Sequence, residues 1–311
     1  MENKRSILLL ALLTLISLTK GYLSSEDISE ISSKTKLWTG SLESSNIFST
    51  GPKEMSFNGA KKKQYLPSSS APSTPDTPIS SSLPESIDWR QLRPECMSNI
   101  RMQLFCGSCW TFSVTEAVSD RFCIHSQGTL MVELSPQYLL ACIHGESEGC
   151  GGGYPIDAYM YLEQHGTPED LCLMYYDFIG ISWPTCFDFC FPLFWVSDFK
   201  YYVRDATPIV DRNVDRIKTA LLDGPVTAGM VLYKDFTAYK EGIYENTTDE
   251  IVGYHAVKVV GYGYDQEKDV EYWIAANSWG AGWGEDGYFR IKFGVAEFED
   301  DLSFAHPIIS E

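Results

Sequence analysis

All nine cysteines of this 311-residue chain fall between Cys96 and Cys190, and none follows. No other feature limits the fold as strongly, because what those thiols do depends on the compartment they reach. Met1 to Arg5 holds two basic residues, Ser6 to Leu18 is an apolar run of 13, and Thr19-Lys20-Gly21 closes it. Residues 1–21 therefore read as a secretory signal peptide. Thirteen residues span only about 20 Å as a helix, short of a ~30 Å hydrocarbon core, so an uncleaved anchor is the weaker alternative. No later apolar stretch is long enough to cross a bilayer, and no membrane association is expected after signal removal. Entry into the secretory pathway makes disulfides the default use of the cysteines. A zinc site from Cys142, His144 and Cys150 is a minor alternative. The odd count leaves one thiol over.

The charge is as unevenly spread as the cysteines. Residues 1–82 carry nine basic and seven acidic residues, whereas residues 83–311 carry 15 and 35. A net charge of −18 argues against nucleic-acid binding, since a phosphate backbone selects for Lys and Arg. Residues 22–82 hold no cysteine and end in the low-complexity stretch Pro67–Ser82, which cannot support a core. A cleavable pro-segment and a disordered arm are both open readings of residues 22–82. The remaining residues, 44% hydrophobic over the whole chain, are enough for a two-part globular domain.

Within residues 83–311 the order is α+β. Ser108 is a candidate N-cap for a helix with an apolar stripe of Trp110, Val114, Ala117, Val118 and Phe122. Ser135 caps a second helix with Pro136 at its first position, and Pro155–Glu163 is a third. Asn213–Leu222 is amphipathic and stops at Asp223-Gly224-Pro225. Val226–Tyr233, His255–Tyr264, Val270–Asn277 and Tyr288–Phe293 are strand candidates. The cysteine-rich half, about 83–195, is helical, and the half from about 196 to 311 is β-rich.

The sharpest chemical signal is Cys109 in Gln103-Leu-Phe-Cys-Gly-Ser-Cys109-Trp110, at the start of the long helix. Unpaired N–H groups there favour a thiolate. Acyl transfer also needs a base and an oxyanion donor. Gln103 offers an amide, and far downstream come His255, in Gly253-Tyr-His255-Ala-Val, and Asn277, in Asn277-Ser-Trp279-Gly. The three motifs in this order resemble the papain-like cysteine protease family, over essentially all of residues 83–311. The resemblance implies a two-domain fold, a helical left domain and a β-barrel-like right domain with the active-site cleft between them. It implies Cys109 as nucleophile, His255 as base, Asn277 orienting the imidazole under Trp279, and Gln103 with the Cys109 N–H as oxyanion hole. It also implies a cysteine endopeptidase made as a zymogen, acting on protein or peptide substrates, open to cystatin-like inhibitors, monomeric, and working in a lysosome or similar acidic vacuole, or secreted. No metal and no cofactor is expected. A catalytically inactive papain-fold binding or matrix protein is the competing class.

Leu83–Arg90, Val118–His125 and Gly149-Cys-Gly-Gly-Gly-Tyr-Pro155 resemble the cathepsin B-like branch. That likeness implies substrate backbone binding at Gly152 and Gly153, and the pairs Cys96–Cys123, Cys106–Cys150, Cys142–Cys186 and Cys172–Cys190. Three departures stand out. Only 13 residues separate Cys172 from Cys186 and none is His, so the histidine-bearing occluding loop of cathepsin B is expected to be missing and peptidyl-dipeptidase trimming with it. Loop-less enzymes of some protists are the nearest comparison. Leu104 follows Gln103 where the family usually has Gly, and Tyr254 precedes His255 where cathepsin B has Gly. The second subsite floor aligns with Leu302, which implies an apolar preference, and a one-residue slip would place Asp301 there and reverse it. Asn246-Thr-Thr is the single glycosylation sequon.

Overall fold

A computed structural model describes residues 23–46, 59–63, 83–177, 185–186, 189–190, 194–195 and 200–309. The signal-like residues 1–21 and the Pro67–Ser82 stretch lie outside the described residues. The chain opens with helix α1 (Ser25–Lys34), strand β1 (Trp38–Gly40) and helix α2 (Leu42–Asn46). Ser24 caps α1 in a reciprocal capping box with Asp27. Then come β2 (Ile87–Asp88), α3 (Trp89–Leu92), and the three helices of the cysteine-rich half, α4 (Cys109–His125), α5 (Pro136–Cys142) and α6 (Pro155–His165). Short strands β3 (Phe189–Cys190) and β4 (Phe194–Trp195) pair with each other. The β-rich half holds β5 (Val203–Ile209), α7 (Val214–Leu222), β6 (Val226–Tyr233), β7 (Tyr239–Tyr244), β8 (Ile251–Asp265), β9 (Val270–Ala276), β10 (Tyr288–Lys292) and β11 (Leu302–Pro307). The architecture is α+β.

The large sheet runs β1-β7-β10-β9-β8-β6-β11-β5, with β2 on the side of β8. Among the described strands of this sheet, only β10 and β7 pair in parallel. β1 extends the sheet edge, and the Trp38 indole packs into the β-rich core against Tyr244, with its Nε1 donating to Glu245 O at 2.9 Å. Residues of the N-terminal segment thus share the core of the β-rich half.

Ser135, which the sequence places at the start of a helix, accepts from Tyr138 N, and Asn213, not read as a cap, accepts from Arg216 N. Ser108 holds the N-cap position of α4 but makes no cap hydrogen bond, because its Oγ is engaged by Cys106 O and the Tyr175 hydroxyl. The expected apolar stripe of α4 enters the core, but the other faces are buried with it. Every residue from Cys109 to Cys123 is buried, on all faces. A helix wrapped on all sides must pair its polar residues internally. Lys258 of β8 donates to Asp120 of α4 at 2.6 Å, and Glu116 lies 3.9 Å from the same ammonium. Burial acts to lower the Lys258 pKa, but Asp120 and Glu116 outweigh it and the ammonium is held charged. Glu116, whose Oε1 has no hydrogen-bond partner among the described residues, is pushed up to about 7 by burial. These charges lock the helical half onto the β-rich half.

Four disulfides join Cys96–Cys123, Cys106–Cys150, Cys142–Cys186 and Cys172–Cys190. With Cys142 and Cys150 oxidised, no thiolate remains for a zinc site with His144. Cys109 is the one free thiol.

Candidate active site

Cys109 is the first residue of α4, where backbone N–H groups lack helical partners. His255 lies on β8, whose partner β6 places Met230 opposite it. Both side chains are fully buried. The imidazole Nε2 is 2.8 Å from Asn277 Oδ1. That oxygen also accepts the Ser278 N–H at 2.8 Å, which fixes the amide orientation, since a backbone N–H cannot donate to an NH₂ group. Nε2 must therefore carry the proton, and Nδ1 is the basic nitrogen. Nδ1 has no hydrogen-bond partner among the described residues. Trp279 packs on the ring, with centroids 4.8 Å apart.

Gln103 is held from three directions. Its N–H donates to Ser278 O at 2.9 Å, its Oε1 accepts from Ser278 Oγ at 2.7 Å, and its Nε2 donates to Cys106 O at 2.9 Å. Tyr175 adds a hydroxyl bond to Gln103 O at 2.7 Å. Leu104, next in the chain, has φ 52°. In that left-handed region a branched side chain costs roughly 1–2 kcal/mol, and the bonds that hold Gln103 on its other side keep the loop in place. Ser278 and Tyr175 are contributors that motif reading missed. Ser278 stood inside the Asn-Ser-Trp-Gly quartet, but Tyr175 had no sequence signal, because its role depends on a contact 72 residues away.

Residues 59–63 cross this site. Gly59 N–H donates to Cys109 Sγ at 3.3 Å. Gly153 N–H donates to Gly59 O at 2.7 Å, and Lys61 N–H to Gly153 O at 2.8 Å. Ala60 pairs with Gly153 as a parallel bridge and packs with Cys109, Ala256 and Tyr254. Tyr254 thus forms part of the cleft wall. A Cβ on Gly59 would lie 1.8 Å from Gly107 O, and one on Gly153 2.6 Å from the Trp110 ring, so both positions require glycine for this approach. Three lysines then anchor the strap: Lys61 to Glu148 at 3.1 Å, Lys62 to Asp300 at 3.1 Å and to Glu297, and Lys63 to Asp157 at 2.6 Å. The basic N-terminal segment meets the acidic domain here.

Under this strap the pair is electrically silent. Burial pushes the Cys109 thiol up to about 11, against the smaller pull of the Ala256, Gly59, Ala60 and Trp110 amides. Burial lowers His255 to about 4, partly offset by its bond to Asn277. Between pH 5 and 9 the thiol is protonated and the imidazole neutral.

The remaining sequence candidates sit as follows. Gly152 and Gly153 line the strap. Leu302 is fully buried in the β-rich core, opposite Ile209 and Ala228, whereas Asp301 is buried beside Lys62 and Lys63. Burial raises the Asp301 carboxyl to about 6. Asn246 Nδ2 donates to Thr248 O at 3.2 Å in a half-buried turn.

A free buried thiol at a helix start and an imidazole whose tautomer is set by an asparagine are the groups that a cysteine peptidase would need. The chain is a member of the papain family of cysteine proteases, whose profile matches residues 83–305. It is 34% identical to "Cathepsin B-like cysteine proteinase 4" of Caenorhabditis elegans, covering 93% of this chain and 95% of that one. It is 38% identical to "Cathepsin B-like CP3" of Giardia intestinalis, over 67% and 69% of the two chains. Among solved structures, "proCathepsin B S9 from Trypanosoma congolense" superposes with a TM-score of 0.74 at 24% identity, covering 92% of this chain and 99% of that one. A "Recombinant stem bromelain precursor" gives 0.69 at 23%, covering 90% and 87%. At these identities the structural likeness speaks for the fold.

Proposed function

We propose that this chain is the zymogen of a secreted or lysosomal cysteine endopeptidase, with residues 1–21 as signal, 22–82 as pro-segment and 83–311 as the catalytic domain. The observation that carries the reading is Gly59–Lys63, which lies in the cleft against Cys109 and Gly153. Once it leaves, water and substrate reach the pair. His255 Nδ1 takes the Cys109 proton, and the thiolate adds to the scissile carbonyl carbon. The Cys109 N–H and Gln103 Nε2 stabilise the oxyanion. The imidazolium then protonates the leaving amine, and water hydrolyses the thioester to release the acid and regenerate the thiol.

No His occurs between His165 and His255, so no imidazolium stands ready to pair with a substrate C-terminal carboxylate. We read the enzyme as an endopeptidase without peptidyl-dipeptidase activity. Leu302 in the core and Asp301 beside the strap lysines favour the slipped alignment, with an acidic second subsite that accepts a basic side chain. Among the described residues no helix is long and apolar enough to cross a membrane.

The test is labelling of processed protein by a thiol-directed epoxide, followed by cleavage of two peptides. Stoichiometric modification at Cys109 and cleavage of a blocked internal peptide are expected. A folded, processed protein that does not label is an inactive papain-fold protein. Strong preference for a free C-terminus two residues beyond the bond would overturn the endopeptidase reading.

A further inference from the structure

Outside the cleft, three ligand-type side chains converge at the far end of α4. His125 closes that helix, Asp223 follows α7, and His306 lies on β11. His125 Nε2 is 3.3 Å from Asp223 Oδ2, and His306 Nδ1 is 2.9 Å from the same oxygen. All three ligand atoms fall within 4.8 Å of one another. Each side chain is between 23% and 43% exposed, so an ion can reach them. We propose that His125, Asp223 and His306 form a binding site for a divalent cation of the zinc type.

Two imidazole nitrogens and one carboxylate oxygen suit Zn²⁺, Co²⁺ or Cu²⁺, and disfavour Ca²⁺ and Mg²⁺, which take oxygen ligands. His125 Nε2 also lies 2.9 Å from the Asp223 backbone O, a contact that the ion would replace, and on the other side the ion would displace the His306 Nδ1 contact to Oδ2. Each ring presents a lone pair by moving its proton to its other nitrogen.

The ligand turn is pre-set. Arg121, one helical turn before His125 and fully buried, donates through Nε to Pro225 O at 2.6 Å and through Nη2 to the Ala220 and Gly224 carbonyls at 3.0 Å. It also donates through Nη1 to Asp223 Oδ2 at 2.9 Å. Its positive charge opposes the ion, which sets the expectation at about micromolar rather than nanomolar affinity. Sequence spacing could not reveal this site, because its ligands come from three elements and two halves. The α4 axis separates it from Cys109 by about 24 Å, so the ion would clasp the two halves rather than take part in hydrolysis.

The experiment uses the full chain with Cys109→Ser, which removes the free thiol as a competing ligand, after chelator treatment at pH 7.5. Co²⁺ titration followed in the visible, then displacement by Zn²⁺, should give one equivalent. His306→Gln and His125→Gln should each weaken binding at least tenfold. Absence of stoichiometric binding would overturn the proposal. So would binding that persists in the double variant, which would place the ion on the exposed His144 or His165. Should a variant misfold, carbethoxylation of the unsubstituted histidines read by mass spectrometry decides. Zn²⁺ should shield His125 and His306 and leave His144 and His165 reactive, and equal labelling with and without Zn²⁺ would refute the site.

Discussion

The silent state of Cys109 makes a quantitative prediction about alkylation before and after the strap leaves. With the thiol at about 11, roughly one molecule in 10⁴ carries a thiolate at pH 7 and one in 10⁶ at pH 5. A histidine-paired thiolate has a pKa of about 3–4, so the processed enzyme is ionised throughout that range. Ionisation is not the whole rate. Nucleophilicity falls with thiol pKa at a slope of about 0.4–0.5, which takes back about three decades over a seven-unit drop. The processed form should therefore react with iodoacetamide only about tenfold faster at pH 7 but about 10³-fold faster at pH 5, before any gain from opening the cleft. The assay is the second-order alkylation rate of zymogen and processed enzyme from pH 5 to 9. The zymogen should show log k rising with unit slope and the processed enzyme a plateau. A zymogen rate that is flat with pH, or equal to the processed rate at pH 5, would mean that the thiolate already exists under the strap and would refute the argument.

Other perturbations follow from the same contacts. Gly59→Val cannot sit against Gly107 O, so the strap should lift, and the unprocessed protein should hydrolyse peptides that the parent zymogen leaves intact. Ser278→Ala removes the hydroxyl that donates to Gln103 Oε1, a bond worth about 1 kcal/mol. Its processed form should lose kcat more than it gains KM, because the oxyanion donor loosens. Glu116 is raised to about 7 from its usual 4.5, so the folded chain keeps a proton that the unfolded chain has lost between those values. Stability should be highest below that window and decline as pH rises through it, and melting curves of Glu116→Gln should show a shallower decline.

Much of this was legible in the residues. Three separated motifs pointed to Cys109, His255 and Asn277, the capping signal at Ser135 placed one helix, and the amphipathic run Asn213–Leu222 with its Asp223-Gly224-Pro225 stop placed another. What stayed hidden depended on distant contacts. Residues 22–82 offered composition alone, so the chain could not say that Trp38 enters the β-rich core or that Lys61–Lys63 reach Glu148, Asp157, Glu297 and Asp300. The charge contrast between the two parts was visible, but its use required the docked geometry. Strands β5, β7 and β11 gave weak periodicity, because their neighbours in the sheet, rather than local preference, set their burial. The stripe assigned to α4 does enter the core, but it could not show that the other faces are buried as well, because a helix enclosed on every side has no polar face to complete the pattern.

That enclosure has an evolutionary cost. Along α4, Cys109, the Glu116–Asp120–Lys258 lock and the Cys123 bridge point to different neighbours, and Arg121 and His125 both reach Asp223. Insertion or deletion of one residue would rotate everything beyond it by about 100° and shift it by about 1.5 Å. All those partners would be lost at once. Descendants of this chain can lengthen the loops around α4, but the helix itself is confined to point substitution.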